Sequence, residues 1–251
     1  MSQRRWGWWM GFTALLLLSA AASGSEAGPF IHEVRVSNVR DVYFTVSWVT
    51  EGHAHGEVRY GTTPALGQVA YDDRGTAYAG WTHYVGLTGL LPSTLYYFDV
   101  VSDGAVDDNG GAHYQVTTGP TLAPPTSDAV WGLVHQEDGT TPATGAIVYL
   151  QVRDANSLGS PGQSAVLSAL VSEAGYWFAN LANARTADLG AYFAYSPSGD
   201  QVLLEAEGGR MGRGTLTVDT SADSPAPPLR LFRPPAPPLS LPLVTSGWHS
   251  R

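Results

Sequence analysis

Short runs in which apolar and polar residues alternate recur along most of the chain after residue 28. In the clearest run, residues 42–50, the side chains of Phe44, Val46 and Trp48 fall on one side of an extended strand. The pattern predicts a strand with one face in a core and one face exposed to solvent. We expect Trp48 to be the central core aromatic, because no nearby side chain is as large.

Comparable runs, separated by turns rich in Gly, Pro, Asp and Ser, predict further strands and almost no helix. In the first half they lie at residues 31–36, 58–61, 68–71, 83–87, 94–101 and 114–118. In the second half they lie at 130–134, 146–152, 165–172, 176–178, 189–195, 201–206, 214–218 and 229–232. Residues 52–56 and 103–111 are predicted to be loops, and residues 196–200 the turn of a hairpin.

The stretch from residue 89 to residue 101 has the pattern of a tyrosine corner. Pro92 turns the chain, and an aromatic, β-branched run then favours a strand that begins near Tyr96. A buried tyrosine hydroxyl needs a partner, which backbone near Leu90 can supply. We therefore assign structural roles to Leu90, Pro92, Tyr96 and the core residue Trp48.

These elements predict an all-β protein with two immunoglobulin-like β-sandwich domains in tandem. The predicted domains span residues 29–119 and 128–232. The Pro-rich linker of residues 120–127 should act as a semi-rigid spacer, so we expect the domains to be held apart like beads. The Pro-rich residues 233–251 are predicted to form a disordered, extended tail.

Residues 1–27 resemble a secretory signal peptide. Arg4 and Arg5 precede an apolar run at residues 10–22, which is short for a membrane span, and small residues follow. We expect a secreted, extracellular or cell-surface protein that is not inserted in a membrane after signal removal. A retained N-terminal anchor is the alternative.

The amino-acid composition excludes some kinds of functional site and partner. The chain has no Cys, so neither disulfides nor a thiolate nucleophile is available, and a disulfide-free exported protein suggests a bacterial source. With 22 acidic and 13 basic residues, the net charge is −9, which argues against nucleic acid and anionic membranes as partners. We expect a monomer.

Four motifs in the first domain occur in the order found in one known family. They are Ser-Trp-Val-Thr at 47–50, Val-Arg-Tyr-Gly-Thr at 58–62, the corner at 87–97 and Val-Thr-Thr at 116–118. The region resembles a fibronectin type III domain, in particular the subtype that precedes the catalytic domain of purple acid phosphatases. The resemblance implies a seven-strand, non-catalytic sandwich. The Gly-Asn-His signature of the phosphatase domain does not occur in the chain, so the activity does not transfer.

The second domain resembles a carboxypeptidase regulatory-like domain, a transthyretin-like sandwich. The resemblance rests on Gly132-x-Val134, Asp138-Gly139-Thr140 and residues 145–148, followed by Gly-Tyr-Trp-Phe at 175–178 and Asn-Leu at 180–181. It implies a non-catalytic stabilising or surface module in a secreted protein.

Candidate binding residues fall into a polar group and an aromatic group. The Gly52–Gly56 and 103–111 loops should lie at one end of the first domain and present His53, His55, Asp107, Asp108 and Asn109 to a polar or cationic partner. Metal binding by His53, His55 and His83, or Ca²⁺ binding by the aspartates, is the less favoured alternative. We assign no catalytic, metal or cofactor residues.

Trp81 and Trp177 are the aromatic candidates, because an exposed tryptophan can stack on a sugar or anchor a protein. Packing in a core or between the domains is the favoured interpretation for both, because tryptophan is highly buried on average. We therefore expect a non-enzymatic interaction or scaffold protein that binds an extracellular protein or glycan without a cofactor. The alternative is an accessory binding subunit of a separately encoded exported hydrolase.

Overall fold

A computed structural model describes residues 28–233, and its only regular elements are strands and two three-residue 3₁₀ turns. The predicted signal segment and all of the predicted tail beyond Arg233 lie outside the described residues. The first half contains β1 (Ile31–Ser37), β2 (Tyr43–Ala54), β3 (Gly56–Gly61), β4 (Gln68–Tyr71), β5 (Gly80–Thr88), β6 (Leu95–Ser102), β7 (Ala105–Asp107) and β8 (Tyr114–Thr117). The second contains β9 (Ala129–His135), β10 (Ile147–Arg153), β11 (Leu167–Leu170), β12 (Tyr176–Asn180), β13 (Gln201–Glu207), β14 (Arg213–Asp219) and β15 (Leu229–Arg230). The all-β prediction is confirmed.

The first sandwich pairs a three-strand sheet, β1-β2-β5, with a sheet in the order β4-β3-β6. β7 and β8 pair with successive halves of the remaining edge of β6. This is the strand order of an immunoglobulin-like sandwich. Trp48 is fully buried, as predicted, and its indole nitrogen donates a 2.8 Å hydrogen bond to Ser102.

The tyrosine corner forms as the sequence predicts. The backbone N–H of Leu91 donates to the Tyr96 hydroxyl at 2.9 Å, and the N–H of the buried Leu90 donates to the carbonyl of Val42. Together these bonds fix the turn at Pro92 against the start of β2.

Replacing Tyr96 with phenylalanine should lower the free energy of unfolding by about 1–3 kcal/mol, because the Leu91 N–H then loses its partner. Urea denaturation measures the effect. Tyr97→Phe is the matched control, because no described residue bonds the Tyr97 hydroxyl, and its midpoint should stay at the wild-type value. Equal midpoints for both variants would contradict the corner.

The second sandwich pairs the sheet β11-β10-β13-β14 with the sheet β12-β9-β15, in which β15 runs parallel to β9. The strand predicted at residues 189–195 is absent. Leu189 has a positive φ of 63°, and the segment makes only an isolated bridge between Arg185 and Tyr192. The predicted hairpin around residues 196–200 is therefore wrong, and β13 pairs with β10 and β14 instead.

Two predicted loops of the first domain are also wrong in part. β2 continues through Ala54 with an irregularity in its pairing to β5, so His53 lies on a strand. Residues 105–107, inside the predicted loop 103–111, form β7.

The two sandwiches are not separated beads. The sheet β1-β2-β5 packs face to face against β11-β10-β13-β14, so residues 44–50 of β2 are buried on both faces. Phe44, Val46 and Trp48 enter the core of the first sandwich, whereas Ser47 contacts Tyr149 of the second. The expectation that one face of this strand is exposed is therefore wrong, and the described chain is a stack of four sheets.

Candidate functional site

The junction between the sandwiches is rich in hydroxyl groups, and Asn38 is its most connected residue. The Asn38 amide nitrogen donates to Thr45, Tyr84 and Ser168, and its amide oxygen accepts from the backbone N–H of Ser168 at 2.9 Å. Ser37 and Ser168 share a hydroxyl–hydroxyl bond of 2.7 Å. Because each of these buried polar groups has a partner, the junction can be polar without a large desolvation cost.

Tyr149 forms the second contact across the junction. Its hydroxyl bonds Ser47 at 2.8 Å, its ring packs beside Tyr84, and the Arg35 guanidinium lies 4.6 Å above its centroid. Burial raises the pKa of Tyr149 to about 12, so the hydroxyl stays protonated. Arg35 also donates to Glu205 at 2.7 Å, and this bond raises the pKa of Arg35 above its ordinary value.

Further contacts fix both ends of the junction. Arg185 is buried and donates to the carbonyl of Pro120 at 2.8 Å, with Asp41 at 3.7 Å. Thr82 donates to the carbonyl of Gly145 at 2.7 Å. The start of the connecting segment is therefore held in place, and the two sandwiches share one continuous set of interactions.

An Asp–His–Thr arrangement occurs in the first sandwich. His83 Nε2 lies 3.1 Å from the Thr50 hydroxyl, and Nδ1 lies 3.8 Å from Asp72. All three side chains are buried, and the His83 ring is stacked on Trp48. No substrate can reach this arrangement without unfolding the strand ends.

The hydrogen bonds around His83 also have the wrong direction for general-base catalysis. The Thr50 hydroxyl donates to the carbonyl of Gly52 at 2.7 Å, so its oxygen accepts from His83 Nε2–H. Nδ1 then carries no proton and has no hydrogen-bond partner. Burial also lowers the pKa of His83 to about 4, which makes the ring a weak base. A general base would have to accept the Thr50 proton at Nε2, the nitrogen that already carries a proton here.

The polar candidates do not form a single cluster. His55 bonds Asp103 at 2.8 Å, which brings the ends of β2 and β6 together, whereas the His53 ring packs edge-on against Trp81. Within residues 28–233, no three His, Asp or Glu side chains come close enough together to hold a metal ion.

Asp107, Asp108 and Asn109 have local partners. Asp107 accepts from the N–H of Asn109 and from the Tyr114 hydroxyl, and Asp108 accepts from the N–H of Gly111. Asn109 has a positive φ of 56° and donates weakly to the carbonyl of His113. These side chains shape the β7–β8 turn, and a role in binding stays a prediction.

The two tryptophan candidates differ in accessibility. Trp177 is only 2% exposed and packs in the core of the second sandwich, so it cannot stack on an external sugar. Trp81 is half-buried at the junction, with the Arg210 guanidinium 4.7 Å from its ring centroid. The core interpretation holds for Trp177.

The exposed aromatic surface lies elsewhere, on the outer face of β9 and β12. Phe178 is 61% exposed and Tyr176 is 48% exposed, and both alternate with the buried Trp177. Phe178 is directly opposite Trp131, which the sequence analysis passed over. The alternation of residues 130–134 could have indicated Trp131 as a surface residue. Val130 and Val134 point into the core, so Trp131 points to the opposite face of the strand.

A polar groove of about 300 Å³ begins at Phe178 and runs to the junction. Arg40, Tyr43 and Asn183 line it, and the Arg40 guanidinium lies 5.1 Å from the Tyr43 centroid. Among the described residues, neither the Arg40 guanidinium nor the Asn183 amide has a hydrogen-bond partner.

A carboxyl group at the far end of the second sandwich is buried without full compensation. Asp223 Oδ2 has no hydrogen-bond partner in the described residues, and Asp128 lies nearby with its carboxylate bonded by Tyr195. Burial first, and then the Asp128 charge, raises the pKa of Asp223 to about 6.

Asp223→Asn should therefore stabilise the protein more at pH 7.5 than at pH 4. The folded state binds more protons than the unfolded state between about pH 4 and pH 6, so wild-type stability falls as pH rises through that window. Urea midpoints at both pH values measure this. Asp188→Asn is the exposed control, because the Thr186 hydroxyl lowers the pKa of Asp188 and places its titration below the tested range. Its difference from the wild type should stay nearly constant between the two pH values. A pH-independent difference for Asp223→Asn would contradict the assignment.

Among residues 28–233, no helix is both long and apolar enough to span a bilayer. No protein-family model matches the chain, and no curated protein matches it. Solved structures similar to it include the FN1–FN3 domains of chicken CNTN1, with 10% identity and a TM-score of 0.25 over 83% of this chain and 68% of that one. Another is the central fibronectin-III array of RIM-binding protein, with 16% identity and a TM-score of 0.26 over 78% and 65%. The fold assignment rests on the strand pairing described above.

Proposed function

We propose that the chain is a secreted, non-catalytic interaction module in which two β-sandwiches act as one rigid body. The observation that carries the proposal is the burial of β2 on both faces, with Ser47 and Tyr149 bonded across the junction. A rigid frame of this kind holds surface groups from both sandwiches in a fixed relation, which lowers the entropic cost of binding.

The absence of an accessible catalytic arrangement among residues 28–233 supports the non-catalytic role. The Asp–His–Thr arrangement of Asp72, His83 and Thr50 is buried, and the Thr50 hydroxyl donates to the Gly52 carbonyl rather than to His83. The leader-like residues 1–27 and the Cys-free composition support secretion from a bacterium.

The finer family relationships are part of the proposal. The first sandwich is fibronectin type III-like in strand order, and its motifs favour the purple acid phosphatase subtype. For the second, the motifs at residues 132–148 and 175–181 favour a transthyretin-like, carboxypeptidase regulatory-like domain.

The test uses the chain from residue 28 to residue 251, labelled with a fluorophore. We expect saturable binding to isolated cell envelopes of the producing organism, and no turnover of phosphoester, carboxylic ester, peptide or glycoside substrates. If the chain turned over one of these substrates and Thr50→Val abolished that turnover, an enzymatic function would replace the proposal. Absence of saturable binding would also contradict it.

A further inference from the structure

Three aromatic side chains lie on the outer face of β9 and β12: Phe178 and Tyr176 are exposed, and Trp131 between them is half-buried. Trp131 and Phe178 are directly opposite each other on β9 and β12, and Tyr176 is opposite Leu133. The Trp131 and Tyr176 ring centroids lie 5.9 Å apart. All three side chains leave the same face of one sheet, and the Trp131 and Tyr176 rings are inclined to each other by 44°. The three therefore form an open, uneven platform rather than a closed pocket.

The platform continues into hydrogen-bonding groups. Phe178 forms one wall of the groove that Arg40 and Asn183 line. Asn180, also in the groove, already accepts from two backbone N–H groups, so its oxygen is occupied. The Arg40 guanidinium and the Asn183 amide are groove donors that no described residue engages.

A sugar chain presents the chemistry that this surface complements. A pyranose ring has an apolar C–H face, which packs on an aromatic ring, and a rim of hydroxyl groups, which bond to guanidinium and amide groups. The net charge of −9 disfavours a polyanionic chain, and Arg40 is the one cationic residue among the described residues that line the groove.

We infer that the β9–β12 face binds a neutral oligosaccharide chain. The sugar rings lie on Phe178, Trp131 and Tyr176, and hydroxyl groups at one end of the chain bond Arg40 and Asn183. The inference rests on the proposed interaction module and names the class of its ligand. It also moves the glycan site away from the predicted positions, Trp81 and Trp177.

Native gels cast with soluble polysaccharide test the inference on the chain of residues 28–251. The probes are mixed-linkage β-glucan, xylan and polygalacturonate. At least one neutral polysaccharide should retard the wild-type chain.

Phe178→Ala should weaken that binding by at least about tenfold, because a stacked ring is lost. Arg40→Gln and Asn183→Ala should each weaken it by about threefold or more, as expected for one lost hydrogen bond.

Tyr71→Ala is the matched control for Tyr176→Ala. Tyr71 is 52% exposed on β4 of the first sandwich, so both changes remove an exposed tyrosine from a strand. Tyr176→Ala should weaken binding, and Tyr71→Ala should leave it unchanged.

Three outcomes would overturn the inference: no retardation by either neutral polysaccharide, retardation that Phe178→Ala leaves unchanged, or preferential retardation by polygalacturonate. A dimer that Phe178→Ala dissociates, seen by light scattering without any retardation, would assign the face to self-association instead. After any of these outcomes, the proposed interaction module still stands if the chain binds envelopes and turns over no substrate. Failure of the oligosaccharide inference is thus distinguishable from failure of the proposed function.

Discussion

Replacing Asn38 with alanine is expected to lower the free energy of unfolding by about 3–5 kcal/mol. The substitution removes the acceptor of the Ser168 N–H and the donor to Tyr84, both inside the junction. It also places alanine at a φ of 55°, which asparagine adopts more readily than alanine because its short polar side chain can bond the nearby backbone. Denaturant unfolding measures the change.

Asn109→Ala separates the two contributions. Asn109 has nearly the same φ, 56°, but lies in an exposed turn of the first sandwich. Its replacement should cost the backbone strain and one weak, exposed hydrogen bond to His113, together about 1–2 kcal/mol. If the two alanine variants lose equal stability, the hydrogen bonds of Asn38 across the junction contribute nothing.

Tyr149→Ala should lower the free energy of unfolding by about 3–5 kcal/mol, because it leaves a cavity between two packed sheets. The ring contacts Tyr84 and Arg35 of the first sandwich, although Tyr149 lies on β10 of the second. The loss should therefore uncouple the sandwiches, and unfolding should become biphasic.

Tyr149→Phe is the conservative comparison. It keeps the ring and leaves the buried Ser47 hydroxyl without its partner, so it should cost about 1–3 kcal/mol and keep a single transition. A small loss for Tyr149→Ala, similar to that for Tyr149→Phe, would mean that the sheets do not depend on each other.

Local patterns were sufficient to predict most strands of the first sandwich. The alternation in residues 42–50 predicts β2, and the Pro92 turn followed by Tyr96 predicts the corner, because both depend on neighbouring residues alone. The strand predicted at residues 189–195 is wrong, because apolar content alone does not distinguish a strand from an irregular buried segment. The chain there turns at Leu189 and makes no ladder.

The packing of one sandwich on the other could not be read from the alternation. Thr45 and Ser47 occupy the face that a period-two pattern assigns to solvent, and both are fully buried. Hydroxyl groups fit either environment, since partners from a distant strand can satisfy them. The partner of Ser47 is Tyr149, more than a hundred residues later.

The candidate binding face was missed for a related reason. A strand pattern shows that Trp177 and its neighbours Tyr176 and Phe178 point in opposite directions, but not which direction is the core. Trp177 was predicted as a binding residue because of its large ring, but it is buried in the core of the second sandwich. Trp131 becomes significant only when its pairing with Phe178 is known.

Differential scanning calorimetry of the chain from residue 28 to residue 251 tests the central claim, that the two sandwiches form one rigid body. The account predicts a single endotherm whose calorimetric enthalpy equals its van't Hoff enthalpy. Two separable transitions, or a calorimetric enthalpy about twice the van't Hoff value, would show that the sandwiches unfold independently and would contradict the account.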